Sequence, residues 1–147
     1  MSEHLATVVW DRNGADFGTG YDRSHVWRFD GGVEVAASSA PHLHGDPSRV
    51  DPEEAFVAAI SSCHMLWFLH LAADEGFVVD RYTDTAVGSM SRSGRGELWI
   101  SDVELHPRVE WVEPAPDDVT VADLHDRSHH KCFIANSVRS EIRVIPS

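Results

Sequence analysis

The chain has 147 residues, 42% of them hydrophobic and 24% charged, which is an ordinary globular composition and excludes disorder as the main state. This length fits one domain, so we expect a single domain over residues 1–147. The formal net charge of −12 opposes binding to a phosphate backbone, so a nucleic-acid partner is not expected. Two cysteines are too few for the disulfide framework of a small secreted domain.

The N-terminal part of the chain predicts strands and turns. β-branched and aromatic residues form three short runs that are typical of strands, "LATVVW", "HVWRF" and "VEVAAS". The Asn13-Gly14 pair that follows the first run predicts a hairpin turn, and "DGG" predicts a second one. The N-terminus lacks a basic region followed by an apolar one, so we expect no secretory signal and a cytoplasmic protein.

A long apolar helix follows a loop rich in proline. Asp51 is its predicted N-cap, Pro52 suits its first position, and Gly76 stops it after about Glu75. Because this helix is apolar nearly all round, we expect the sheet or a partner chain to cover most of its sides. Its Ser and His residues and its acidic flanks argue against a membrane span, so no membrane partner is expected.

The second half of the chain predicts strands, a second helix and a last strand. The strand segments are "FVVDRYTDTAVGSM", "ELWISDVELHPRVEWVEP" and "EIRVI". The middle one is a single strand or two strands with a bend at Pro107. Asp117, Asp118 or Thr120 caps the helix, on which Cys132 lies at helical spacing from earlier apolar residues. Strands, helix, strands, helix and strand together predict an α+β fold.

The two cysteines differ in their sequence context. A lone cysteine in an apolar helix, such as Cys63, is more often a small buried side chain than a reactive one. Cys132 is surrounded by basic and imidazole side chains, and positive charge lowers the pKa of a thiol toward reactive thiolate. His125, His129 and Cys132 also lie along one helix face, which leaves a zinc site as an alternative. The motifs of serine hydrolases, P-loop proteins and dinucleotide-binding proteins are absent from the sequence.

Two segments together resemble a known family. "DPEEAFVAAISSCHMLWFLHLAADEGF" resembles the central helix of the OsmC/Ohr family of organic hydroperoxide reductases, in which an Asn/Asp-Pro-Glu start precedes an Ala-rich helix that carries a cysteine. "HHKCFIANSV" resembles the second cysteine motif of that family. The order of the motifs, the strand-rich N-terminal half and the length also match, so the resemblance covers nearly the whole chain.

The resemblance implies an OsmC-like α+β fold, with antiparallel sheets around a long central apolar helix in an intertwined homodimer. It also implies a thiol-dependent peroxidase that acts on organic hydroperoxides. Cys63 would be the peroxidatic residue and Cys132 the resolving one, and an external dithiol would reduce the disulfide between them. No metal and no organic cofactor is implied.

The family also uses an arginine and a glutamate to activate the peroxidatic thiolate. Glu53 matches the glutamate, and Arg23 is our choice for the arginine, with Arg28 and Arg49 as rivals. In a straight helix, ten residues at about 1.5 Å each place Glu53 roughly 15 Å from Cys63. The arginine must therefore bridge that distance, or the helix must begin after Glu53.

Two other functions remain as alternatives at this point. The first is a non-catalytic module with the same fold that holds a small apolar or thiol-bearing ligand beside Cys63. The second is a zinc-binding protein that uses His125, His129 and Cys132.

Overall fold

A computed structural model describes residues 2–147, and its two helices and eight strands confirm the predicted α+β class. The chain divides into two compact units, one that ends at Ala55 and one that runs from Phe56 to Ser147. The expectation of a single domain over residues 1–147 stays a prediction.

The first unit contains a three-stranded antiparallel sheet. Its strands are β1 (Ala6–Val9), β2 (His25–Phe29) and β3 (Glu34–Ala37), in that spatial order. Gly32 turns between β2 and β3 with a φ of 83°, which only glycine adopts without strain. This turn confirms the predicted second hairpin.

The predicted first hairpin is wrong in its details. Asn13 and Gly14 do turn, with φ values of 50° and 76°, but they lie inside a long connection between β1 and β2 rather than between paired strand ends. In that connection, the rings of Trp10, Phe17 and Tyr21 pack against one another at centroid distances of 5.5 to 5.9 Å. The aromatic cluster gives the connection its own packing, so the turn does not have to bring the strands together.

Helix α1 (Pro52–Asp74) begins and ends where its capping residues predict. The Asp51 carboxylate accepts a hydrogen bond from the N–H of Glu54 (2.8 Å), and the Glu54 carboxylate accepts one from the N–H of Asp51 (3.1 Å). This capping box satisfies two of the helix's otherwise unpaired donors. Gly76, with a φ of 81°, stops the helix. Glu53 therefore lies in the first turn, and a later helix start is excluded.

The second unit holds two more sheets and helix α2 (Asp118–Lys131), whose N-cap is Asp117. One sheet pairs two antiparallel strands, β4 (Val78–Asp84) and β7 (Pro107–Val112). The other has the order β5 (Val87–Arg92), β6 (Leu98–Leu105) and β8 (Glu141–Val144). β5 and β6 are antiparallel, as expected, and β8 joins this sheet by pairing parallel to β6. The break at Pro107 places β6 and β7 in different sheets.

Helix α1 contributes to both hydrophobic clusters of the second unit. Phe68 and Leu71 pack with Leu124 of α2 and with side chains of β4 and β7. Ile60 packs with Val103 and Leu105 of β6. By length and composition α1 is apolar enough to cross a membrane, but its buried stripe joins both clusters. It is therefore the core helix of this fold.

Candidate active site

The structure brings the two cysteines together in the second unit. Cys63 lies in the middle of α1 and is partly buried, while Cys132 follows the last turn of α2 and is only 1% exposed. Both are free thiols, and Cys63 is close enough to affect the ionisation of Cys132. The Cys132 sulfur also accepts a hydrogen bond from the N–H of Ala135 at 3.3 Å.

The environment of Cys132 differs from the one that the sequence predicts. Burial raises the pKa of the Cys132 thiol to about 11, so the expectation of a lowered pKa is wrong. The basic neighbours in sequence are engaged elsewhere, since Arg127 pairs with Glu75 and the Lys131 ammonium lies 5.2 Å from the centroid of the Trp67 ring. Cys132 is therefore a protonated thiol at neutral pH.

An open, largely apolar cavity of about 510 Å³ lies against Cys63. Trp67 and Phe133 form part of its wall and meet edge to face, with their ring centroids 5.6 Å apart. The wall also includes Ala59, Leu66 and Ile134. Apolar walls favour the alkyl or aryl part of a small ligand.

Arg23 lies in the first unit, in the connection between β1 and β2. Its guanidinium donates hydrogen bonds to the carbonyl oxygens of Thr19 (2.9 Å) and Tyr21, and it lies 4.4 Å from the centroid of the Tyr21 ring. Within residues 2–147, no carboxylate comes within ion-pair distance of Arg23. Arg23 and Glu53 therefore do not form the expected ion pair in this structure.

The two rival arginines each have an acidic partner within the first unit. The Arg28 guanidinium meets the Glu34 carboxylate at 2.6 Å, and the Arg49 guanidinium meets the Asp46 carboxylate at 3.4 Å. Of the three candidates, Arg23 is the one whose charge no carboxylate neutralises. This difference favours Arg23 as the cation that is available to an anion.

The structure contains a buried histidine pair that the sequence did not predict. His64 Nε2 and His125 Nδ1 are 3.0 Å apart, and the two residues are 1% and 4% exposed. Burial lowers the pKa of each to about 4, with a further contribution from His129 for His64 and from His64 for His125. The pair is thus neutral at pH 7, with one shared N–H. The only signal in the sequence was the presence of a histidine inside the apolar run of α1.

The alternative zinc site is not formed. Throughout the described part of the chain, residues 2–147, no three His, Cys, Asp or Glu side chains lie close enough to hold a metal ion. His125 points its Nδ1 at His64, and Cys132 lies beyond the end of α2 rather than on its face. The helical spacing that suggested the three ligands therefore does not bring them together.

The fold and the site define an α+β protein with two neighbouring thiols at an apolar cavity. The sequence model of the family described as OsmC-like protein matches residues 45–147, which is more than half of the chain. The chain belongs to the OsmC-like protein family. A comparison with curated proteins gives no match.

Solved structures extend the match over the whole chain. An OsmC-like protein of unknown function from Vibrio cholerae is 42% identical, with a TM-score of 0.96 and complete coverage of both chains. The organic hydroperoxide resistance protein OhrB of Bacillus subtilis is 16% identical, with a TM-score of 0.72 and coverage of 99% of this chain and 98% of that one. An organic hydroperoxide resistance protein from Legionella pneumophila is 17% identical, with a TM-score of 0.72 and coverage of 100% and 96%. At these low identities, the Bacillus and Legionella structures show a similarity of fold alone.

Proposed function

We propose that this protein is a thiol-dependent peroxidase that reduces organic hydroperoxides with two cysteines. The observation that carries the proposal is the position of Cys63 in the wall of an apolar cavity, next to the buried thiol of Cys132. Family membership and the names of the Bacillus and Legionella structures support the same class of substrate.

The reaction has two chemical steps on the enzyme. The Cys63 thiolate attacks the distal oxygen of the hydroperoxide, the O–O bond breaks, and the alkoxide takes up a proton and leaves as an alcohol. Cys63 is then a sulfenic acid. The Cys132 sulfur attacks it, an S–S bond forms, and the sulfenic hydroxyl leaves as water with the thiol's proton. A dithiol such as dihydrolipoamide restores both thiols and becomes the oxidised partner.

The difference between the two thiols supports this division of roles. Cys63 borders the cavity through which a hydroperoxide arrives, whereas Cys132 is 1% exposed. Burial raises the pKa of Cys132 to about 11, which keeps it a weak nucleophile toward free peroxide. It reacts only when an electrophilic sulfur is held beside it, as the Cys63 sulfenic acid would be.

Arg23 is the proposed activator of the Cys63 thiolate, and Glu53 would orient it by forming the ion pair that is absent between these two residues in this structure. A fixed guanidinium stabilises a thiolate, and Arg23 is the candidate without a carboxylate partner.

We also propose a cytoplasmic homodimer. Leu66 and Phe133, both at the cavity, are 60% and 70% exposed, so a second copy that covers them would remove apolar surface from water.

The test is intact mass spectrometry with thiol titration, before and after one equivalent of cumene hydroperoxide. We expect the native chain to lose both thiols and two hydrogen atoms, and Cys63→Ser to lose neither. His130→Gln, at a position where the side chain is 71% exposed, is the control and should react as the native chain does. Peroxide turnover that survives Cys63→Ser would contradict the proposal. Unchanged thiols in the native chain, together with a bound ligand in native mass spectrometry, would favour the non-catalytic binding module.

A further inference from the structure

We propose that the hydrogen bond between His64 and His125 is a positioning device that holds Cys63 opposite Cys132 for disulfide formation. The inference rests on the proposed function and goes beyond it, because it assigns a role to two residues that do not touch the substrate. His64 and His125 are positioning residues in this proposal.

The histidine contact and the cysteine contact join the same two parts of the chain, α1 and the C-terminal half of α2 with the residue that follows it. His64 directly follows Cys63 on α1. His125 lies on α2, and Cys132 follows seven residues later, directly after the last residue of that helix. The contact between His64 and His125 therefore constrains how α1 lies against α2, and with it the position of Cys63 relative to the end of α2 where Cys132 lies.

Apolar packing alone does not define that contact well. Helix α1 is apolar nearly all round, and hydrophobic attraction has no direction. A rotation of α1 by one residue position, about 100°, would turn Cys63 away and still leave an apolar side chain against α2. The 3.0 Å hydrogen bond adds a directional contact between α1 and α2, which is lost when α1 rotates or shifts along its axis.

The geometry of the two rings makes the contact directional. Their planes differ by only 7°, so the N–H of one ring can point along the lone pair of the other. The His125 ring also stacks on Phe68, with their centroids 4.3 Å apart. His125 is thus held on its face by Phe68 and at its edge by His64, both of which belong to α1.

The unpaired nitrogens argue against a role in packing alone. His64 Nδ1 and His125 Nε2 are buried without a hydrogen-bond partner among residues 2–147. Two apolar side chains of similar size would fill this space without leaving any polar atom unpaired. The two unpaired nitrogens make the histidine pair less favourable than apolar side chains. A positioning role for its one directional hydrogen bond explains why histidines stand here.

Disulfide formation in a dithiothreitol buffer tests the inference without a peroxide. The thiols of Cys63 and Cys132 each give up a hydrogen to oxidised dithiothreitol, an S–S bond forms between them, and reduced dithiothreitol is released. The equilibrium constant of this exchange measures how well the fold holds the two sulfurs together. Native chain, His64→Leu, His125→Leu and the double variant are compared after near-UV circular dichroism shows that each is folded.

We expect each leucine variant to lower the equilibrium constant about tenfold, and the double variant to lower it no further, because both changes remove the same bond. His64→Gln should restore it, since the glutamine amide can replace Nε2, and His130→Gln should leave it unchanged. Equal constants in the native and leucine variants would overturn the inference, even if the variants are less stable. A native chain that forms the bond but ignores hydroperoxide would overturn the proposed function and leave the positioning role standing.

Discussion

Acidification should destabilise this protein well above the pH at which its carboxylates titrate, because His64 and His125 are buried as neutral rings. In the folded state burial lowers the pKa of each from 6.5 to about 4. The unfolded chain therefore binds more protons than the folded chain between these values. The contribution of the two neutral rings to the free energy of unfolding is fully present above pH 6.5. It is lost progressively as the pH falls from 6.5 toward 4.

The size of the effect follows from the two pKa values. One extra proton on the unfolded chain changes the free energy of unfolding by about 1.4 kcal/mol per pH unit. From pH 7.5 to pH 5 each histidine should therefore remove about 2 kcal/mol, and the pair about 4 kcal/mol. Such a loss is a large fraction of the stability of an ordinary domain, roughly 5 to 15 kcal/mol. Asp and Glu side chains contribute mainly below pH 5, so the range from 7.5 to 5 separates the two effects.

The assay is urea denaturation at one fixed chain concentration, followed by near-UV circular dichroism, at several pH values from 7.5 to 5. The double variant His64→Leu/His125→Leu should lose most of the pH dependence, whereas the exposed-site control His130→Gln should keep it. A native chain whose free energy of unfolding changes by less than about 1 kcal/mol over this range would refute the reasoning. A double variant with the same steep decline would refute it equally.

Four further substitutions have defined outcomes. Cys132→Ser should react once with cumene hydroperoxide and retain a sulfenic acid on Cys63, which the intact mass shows as one added oxygen. A Cys63 thiol that does not react in this variant would contradict the prediction. Gly88→Ala should lower the free energy of unfolding by about 1 to 3 kcal/mol, because the added Cβ would lie 2.5 Å from Val57 Cγ2. The double variant Gly88→Ala/Val57→Ala should recover part of this loss, since it removes the methyl group that clashes. Phe68→Ala should cost about 3 to 5 kcal/mol in urea denaturation, since Phe68 is fully buried in the α1–α2 cluster; a cost under 1 kcal/mol would mean that the cluster is not the core. Asp51→Ala should cost about 1 kcal/mol through loss of the helix cap, while Asp51→Asn should cost less.

The parts of the fold that the sequence predicted well are those set by local interactions. The bounds of α1 follow from Asp51 and Gly76, which act on the backbone within a few residues of themselves. The cap of α2 at Asp117 and the break at Pro107 are local in the same sense. The Asn13-Gly14 turn is also local and does form, but it lies inside a longer connection whose aromatic rings pack against one another, so it does not join the ends of β1 and β2.

The site was harder to predict because its chemistry depends on contacts between distant residues. Arg127 is five positions from Cys132 in sequence, but it pairs with Glu75, the residue that follows α1, so its charge does not act on the thiol. His64 and His125 are 61 residues apart, and nothing near either one in sequence indicates the other. The two cysteines could be paired in advance only through the family resemblance.

The parallel pairing of β8 with β6 has a consequence for how the chain folds during its synthesis. Ile142 and Val144 of β8 pack against the cluster of Ile60, Val103 and Leu105, whose other members leave the ribosome much earlier. Because the chain emerges from its N-terminus, α1 and β6 are exposed while that cluster still lacks one side. The cluster cannot close until Ile142 and Val144 have left the ribosome, and until then the side of the cluster that they cover is open to chaperones and to other nascent chains.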